Sequence, residues 1–206
     1  MDVYRNQPAL RQSEHLILFD LGIHLLDVAH FLFGPPRRLR ARKWRIRPGI
    51  TGEDVATVVL DHGAVETIIE LSFASVLRDD AFPQTTVLIE GTEGSLELRP
   101  DYILYLTTRE GSEILDVCPQ RYSWADERYA VVHASIVPCQ RHLLLAVTGQ
   151  SEPETPGAQH VSVLRAVDAA YRSADADGPS LQSGPASGPW VVVDDSPGAP
   201  SARSRF

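Results

Sequence analysis

Lysine is nearly absent from this chain. Of its 19 basic residues only Lys43 is a lysine, and it sits inside the one basic run, RRLRARKWRIR, Arg37 to Arg47. Cysteine is scarce too. Cys118 and Cys139 lie far apart and in no metal-ligand spacing, so they read as reduced thiols of a cytoplasmic protein. No apolar run reaches the roughly 20 residues of a membrane span. The opening MDVYRNQPALRQSEH is polar and lacks the apolar core of a signal peptide. A soluble protein, away from membranes, is expected. Positive charge is in deficit, with a net charge of −8 and a pI near 5.3, which argues against a general phosphate-backbone binder. The basic run alternates, with Leu39 and Ala41 on one parity and Arg38, Arg40 and Arg42 on the other. It reads as an edge strand whose charge discourages edge pairing, in preference to a nucleic-acid patch, because no aromatic stacking platform surrounds it.

What the chain does contain begins with ILFDLGIHLLDVAHFLFG, Ile17 to Gly34. This is an apolar helix carrying Asp20, His24 and Asp27. Spacings of four and three place these side chains within roughly 60° of one another on one helical face. A polar stripe in a greasy helix calls for partners: solvent in a cleft, a ligand or another chain. The helix stops at GPP, Gly34 to Pro36. A period of two follows. EDVATVVLDHG and AVETIIELSFASV form a hairpin across DHGA, and QTTVLIEG, GSLELRP, YILYLTTR and SEILDV continue as strands joined by GTEG, PD and EG. After residue 125 the period is helical again, first in YAVVHASIVPCQRHLLLAVTG with Pro138 inside it, then from near Pro156 to just before Gly178. Residues 182–206 are rich in Gly, Pro, Ser and Asp and are expected to be a disordered tail, apart from WVVV at Trp190 to Val193.

A chain of 206 residues suits one domain or one and a half. The order helix, strands, two helices predicts an α+β fold: an open, mostly antiparallel sheet with helices on one face, spanning residues 1–181. On the strand from Ala64, one parity is apolar (Val65, Ile69, Leu71, Phe73) and the other mixed (Glu66, Ile68, Glu70, Ser72). The mixed face favours a sheet-on-sheet homodimer over a fully solvated surface.

DLGIHLLDVAHFLFGPPRRLRAR, GEDVATVVL, VLIEGTEGSLEL and TGQSEPETPGAQHVSVLRAVDAAYRSA resemble, in that order, the Gfo/Idh/MocA oxidoreductases, from about Tyr4 to Leu181. The resemblance is to their C-terminal, dihydrodipicolinate-reductase-like domain. It implies a substrate and oligomerisation domain of an NAD- or NADP-dependent enzyme acting on a sugar or polyol, with a dimer or tetramer as the assembly. The family's other half is a Rossmann domain that binds the dinucleotide and supplies a catalytic lysine from an E-K-P motif. This chain has no G-x-G-x-x-G after a strand and no E-K-P. No cofactor-binding residue is therefore assigned.

By the same resemblance His24 matches the base that takes the substrate hydroxyl proton, a role suited to an imidazole. Asp20 matches the carboxylate that orients it, with Gly22 leaving room between them. Asp27 is expected to be structural, paired with backbone or an arginine. His133 and His142 lie in the late helix and are candidates by residue type alone. Three other readings stay open: Asp20 as a cap, His24 as a satisfied core histidine, and a metal bound by Asp20, His24 and Asp27, against which stands the rarity of three ligands on one helix converging on one ion. Three accounts of the chain also stand. It is a truncated or split oxidoreductase, inactive alone and completed by a separate Rossmann-domain chain; the start at Met1, close to the family's domain junction, favours this. Otherwise it is a stand-alone sugar-binding module, or an oligomerisation module with vestigial site residues.

Overall fold

A computed structural model describes residues 3–78, 84–184 and 190–193. The chain divides into two compact units, one of residues 2–76 with 155–206 and one of residues 77–154.

The first unit holds a five-stranded antiparallel sheet in the order β3–β2–β1–β8–β9, with β1 Arg38–Trp44, β2 Val55–Asp61, β3 Glu66–Ser72, β8 Leu181–Gln182 and β9 Val191–Val192. Alternation sends Leu39 and Ala41, Ala56, Val58 and Leu60, and Ile69 and Leu71 to one face. There they form a buried cluster with Leu26 and Ala29 of α2 (Ile23–Phe33) and with Val163, Ala166, Val167 and Ala170 of α4 (Gly157–Asp175). The helices thus cover one sheet face, as expected. Helix α2 ends where Gly34 turns to φ +79° and donates its N–H to His30 O at 2.8 Å, ahead of two prolines. The DHGA hairpin closes through His62 N–H to Val65 O at 2.8 Å, with Gly63 at φ +97°.

The edge-strand reading of the basic run is corrected. β1 is the central strand, paired with β2 along its length and with β8 at Arg38 and Leu39. Its free N–H at Ala41 is taken by Ser173 Oγ of α4 at 2.9 Å. The covering residues come more than 130 positions later, which no local pattern reveals. The expected boundary at residue 181 falls inside β8, and Gln182 pairs with Val191. The expected disorder of 185–189 and 194–206 lies outside the described residues.

The second unit is a meander, β4 Val87–Glu90, β5 Gly94–Leu98, β6 Ile103–Thr108 and β7 Gly111–Asp116, followed by a 3-10 turn, Glu127–Tyr129, and helix α3, Ala130–Val147. The strands therefore form two sheets where a single run was expected. Alternation marks a strand without naming its partner; short turns tie β4–β7 to one another, and β8 takes the place beside β1. Neither apolar cluster among the described residues draws on this unit, whose buried side chains are those of Ala130 and Ala134. Val132, Ile136, Leu143, Leu144 and Val147 of α3 are exposed. At 18 residues, α3 has the length and apolar composition to cross a membrane, where the sequence suggested no such run. Pro138, Gln140, Arg141 and His142 interrupt it.

Candidate active site

The Asp20–His24 segment does not start as a plain α-helix. Leu18–Gly22 is a π-helical turn that runs directly into α2. A π-turn inserts an extra residue into the helix, so a spacing of four no longer completes one turn and His24 is rotated from the position α-geometry assigns it. Gly22 is buried against β3, where a Cβ would stand 3.1 Å from Leu71 Cδ1. Its missing side chain sets how closely this turn rests on the sheet, rather than only clearing space between Asp20 and His24.

The turn has no local side-chain cap. Its N-terminal N–H groups are served from a distance by Glu53, which is buried just before β2. Glu53 Oε1 accepts from Leu16 N–H at 3.1 Å and Leu18 N–H at 3.2 Å, and its backbone O accepts from Ile17 N–H at 3.2 Å. A buried carboxylate at a helix start satisfies orphan donors and meets the positive end of the helix dipole. Gly52 makes this approach possible, since a Cβ there would come within 2.6 Å of Ser13 O and 2.8 Å of Glu14 O.

Glu53 Oε1 also accepts from the Tyr171 hydroxyl of α4 at 2.7 Å. The Tyr171 ring lies 4.2 Å from that of His15 and carries Lys43 Nζ 4.9 Å over its face. Lys43 is in turn 2.6 Å from Asp175 Oδ1. The chain's one lysine is thus committed to this support rather than to the Asp20–His24 face. Burial first, then the bond to Glu53, pushes the Tyr171 hydroxyl well above its ordinary value of 10.0. The folded state then keeps a proton that the unfolded state releases. Stability is full below pH 10 and falls as pH rises beyond it, by up to about 1.4 kcal/mol per pH unit. Urea titrations between pH 9 and 11.5 should show this slope, and Tyr171→Phe should flatten it.

Among the described residues, the side chains of Asp20 and His24 make no hydrogen bond or ion pair, with each other or with a third group. His24 is exposed and Asp20 half-buried, so the satisfied core histidine and the side-chain cap are both set aside. Asp27 is half-buried and, among the described residues, pairs with no arginine. Its described influence is electrostatic, holding up the His30 imidazole, which burial lowers. No group of three or more His, Cys, Asp or Glu among the described residues could hold a metal ion. His133 and His142 belong to the 77–154 unit. There His133 stacks with Trp124 and meets Tyr129 at a tilt, and His142 Nε2 accepts from Glu154 N–H at 3.0 Å. Sequence reasoning passed over Glu53 and Tyr171. The one local hint was an acidic pair, Glu53–Asp54, placed directly before an apolar strand.

Residues 4–97 match the GFO/IDH/MocA C-terminal domain. Over 174 residues the chain is 40% identical to a D-apiose dehydrogenase of Paraburkholderia graminis, a match that takes in 84% of this chain and 46% of the relative. The chain carries a Gfo/Idh/MocA C-terminal domain. A D-apiose dehydrogenase of Rhizobium rhizogenes is 39% identical, over 84% of this chain and 50% of its own length. An oxidoreductase from Agrobacterium radiobacter, solved in complex with NAD+, L-tartaric acid and magnesium, superposes with a TM-score of 0.84 at 37% identity, covering 88% of this chain and 53% of that one. This Gfo/Idh/MocA domain thus spans about half the length of the relatives it matches.

Among the described residues GTEG, the nearest approach to a dinucleotide fingerprint, does not fit one. That fingerprint seats a pyrophosphate on a glycine-rich turn that opens a helix after a strand. GTEG instead joins antiparallel β4 and β5, with Gly91 N–H closing onto Gly94 O at 2.8 Å, so it presents no helix N-terminus.

Proposed function

We propose that this domain is the substrate and oligomerisation half of an NAD- or NADP-dependent sugar or polyol dehydrogenase, and that it is inactive without a dinucleotide-binding half. His24 is the base that receives the substrate hydroxyl proton, and Asp20 orients the substrate or steadies the imidazolium. The observation that carries this reading is a half-buried carboxylate on a π-turn that buried groups hold at its base, with an exposed imidazole two residues past the end of that turn, in the first turn of α2. An imidazole free of other partners and open to solvent can exchange a proton with an incoming hydroxyl; one sealed in the core cannot. The named activity of the two D-apiose dehydrogenases supports a branched or ordinary aldose as the substrate class. The free thiols fit a cytoplasmic setting.

Titration of the purified chain with NADH and NADPH, followed by nicotinamide fluorescence, tests the dependence on a second half. No saturable binding is expected, and tight binding by this chain alone would refute it. A stand-alone sugar-binding or oligomerisation module with vestigial site residues is the second reading, favoured by the lack of fit of GTEG to a dinucleotide fingerprint. Retained aldose binding with no turnover, even when a dinucleotide-binding half is supplied, would select it.

The partner we assign to the open face of the first sheet is a second copy. On that face the register lines up Arg42, Thr57 and Glu70, then Arg40, Val59 and Ile68. Basic side chains flank one side of β2 and acidic ones the other, with Ile68 63% exposed. A two-fold axis along β2 sets each copy's β1 over its mate's β3, bringing Arg42 to Glu70, whereas an axis across the strands stacks arginine on arginine. Sedimentation should show a dimer that Arg42→Glu dissociates and that Arg42→Glu with Glu70→Arg restores. A persistent dimer in the single variant would rule this face out.

A further inference from the structure

We propose that Glu53, seconded by Tyr171, is the positioning residue of the Asp20–His24 pair; this rests on the reading of those two side chains as the reacting groups. One buried oxygen, Glu53 Oε1, receives three donors from two separate parts of the fold: the N–H groups of Leu16 and Leu18 and the Tyr171 hydroxyl. The backbone N–H of Phe19, the residue before Asp20, also faces that hydroxyl. The donors at the base of the reacting turn are therefore held by side chains belonging to a loop and to α4, not by the helix's own residues.

This arrangement has a functional consequence. A π-turn has poorer intrahelical geometry than an α-helix and persists only where its surroundings over-determine it. Here the surroundings are Gly22 pressed on Leu71 at one end and the Glu53 clamp at the other. Releasing the clamp allows Leu18–Gly22 to relax to α-geometry, which rotates Asp20 relative to His24 without unfolding the sheet. Lys43 and His15, both packed against the Tyr171 ring, keep the hydroxyl aimed at Glu53.

Amide hydrogen exchange on the chain tests this without any turnover, so its result stands apart from whether Asp20 and His24 do chemistry. In Glu53→Ala, exchange at Leu16 to His24 should accelerate about tenfold or more while Val58 and Leu60 of β2 keep their protection. Glu53→Gln retains an acceptor oxygen and should restore protection to within about threefold. Tyr171→Phe, which removes one donor to Glu53 and the hydroxyl that the Phe19 N–H faces, should give a smaller, equally local acceleration, and it serves if Glu53→Ala fails to fold. In an enzyme completed with a dinucleotide-binding half, Glu53→Ala should lower kcat with little change in KM, and Glu53→Gln should recover it. Unchanged exchange at Leu16 to His24 in these variants, or acceleration spread equally through β2, would overturn the proposal.

Discussion

Replacing His24 by alanine should lower kcat by about 10²- to 10⁴-fold, the range a positioned general base contributes. The assay is reduction of NAD+ by an aldose, using a chimera in which the part of the Paraburkholderia graminis D-apiose dehydrogenase that this chain does not match precedes it. The same substitution should change the chain's own stability by less than about 0.5 kcal/mol, because it removes an exposed side chain with no described partner. The two readouts separate a reacting group from a structural one. A stability loss above about 2 kcal/mol would mark the ring as structural, and unchanged kcat would remove it from the chemistry. Asp20→Asn keeps the shape and removes the charge, so a smaller loss is expected, which alkaline pH does not rescue.

The largest stability effect is expected at Asp54. This side chain is fully buried, with Oδ1 accepting from Ile46 N–H at 2.7 Å and Oδ2 from Arg47 N–H at 3.1 Å. Its backbone adds two more links, accepting from Phe73 N–H and donating to Trp44 O. Asp54→Ala strands two amide donors beside the cavity it leaves, at about 3 kcal/mol. For a chain of this size that is roughly 6–12 °C in melting temperature. Asp54→Asn keeps one acceptor and should cost about half as much. Urea denaturation measures both, and a wild-type midpoint in Asp54→Ala would show that the clamp contributes nothing.

The helix bearing Asp20 and His24 was legible because its apolar residues repeat at helical spacing and its stop is written in GPP. The hairpins were legible because their turns carry glycine or the DHGA and GTEG chemistry, and the family because four separated motifs keep their order. The π-turn was not. Leu18–Gly22 reads as ordinary helix, since the distortion comes from Gly22 meeting Leu71 and from Glu53 reaching back 35 and 37 residues. Glu53 itself looked like the first residue of a strand. Its role depends on Tyr171, 118 positions later.

From sequence alone came the α+β class, the antiparallel pairing of neighbouring strands, the apolar face of each element and the residue types offered at the candidate site. Each of these follows from interactions among residues close in the chain, which periodicity and turn chemistry record. Tertiary structure alone decided that the strands form two sheets, that the basic run is a central strand, and that the Leu18–Gly22 turn is held in π-geometry. In each case the deciding partner lies far along the chain (β8 beside β1, Ser173 on Ala41, Tyr171 on Glu53), and a hydrogen bond closed across such a distance leaves no mark on local spacing.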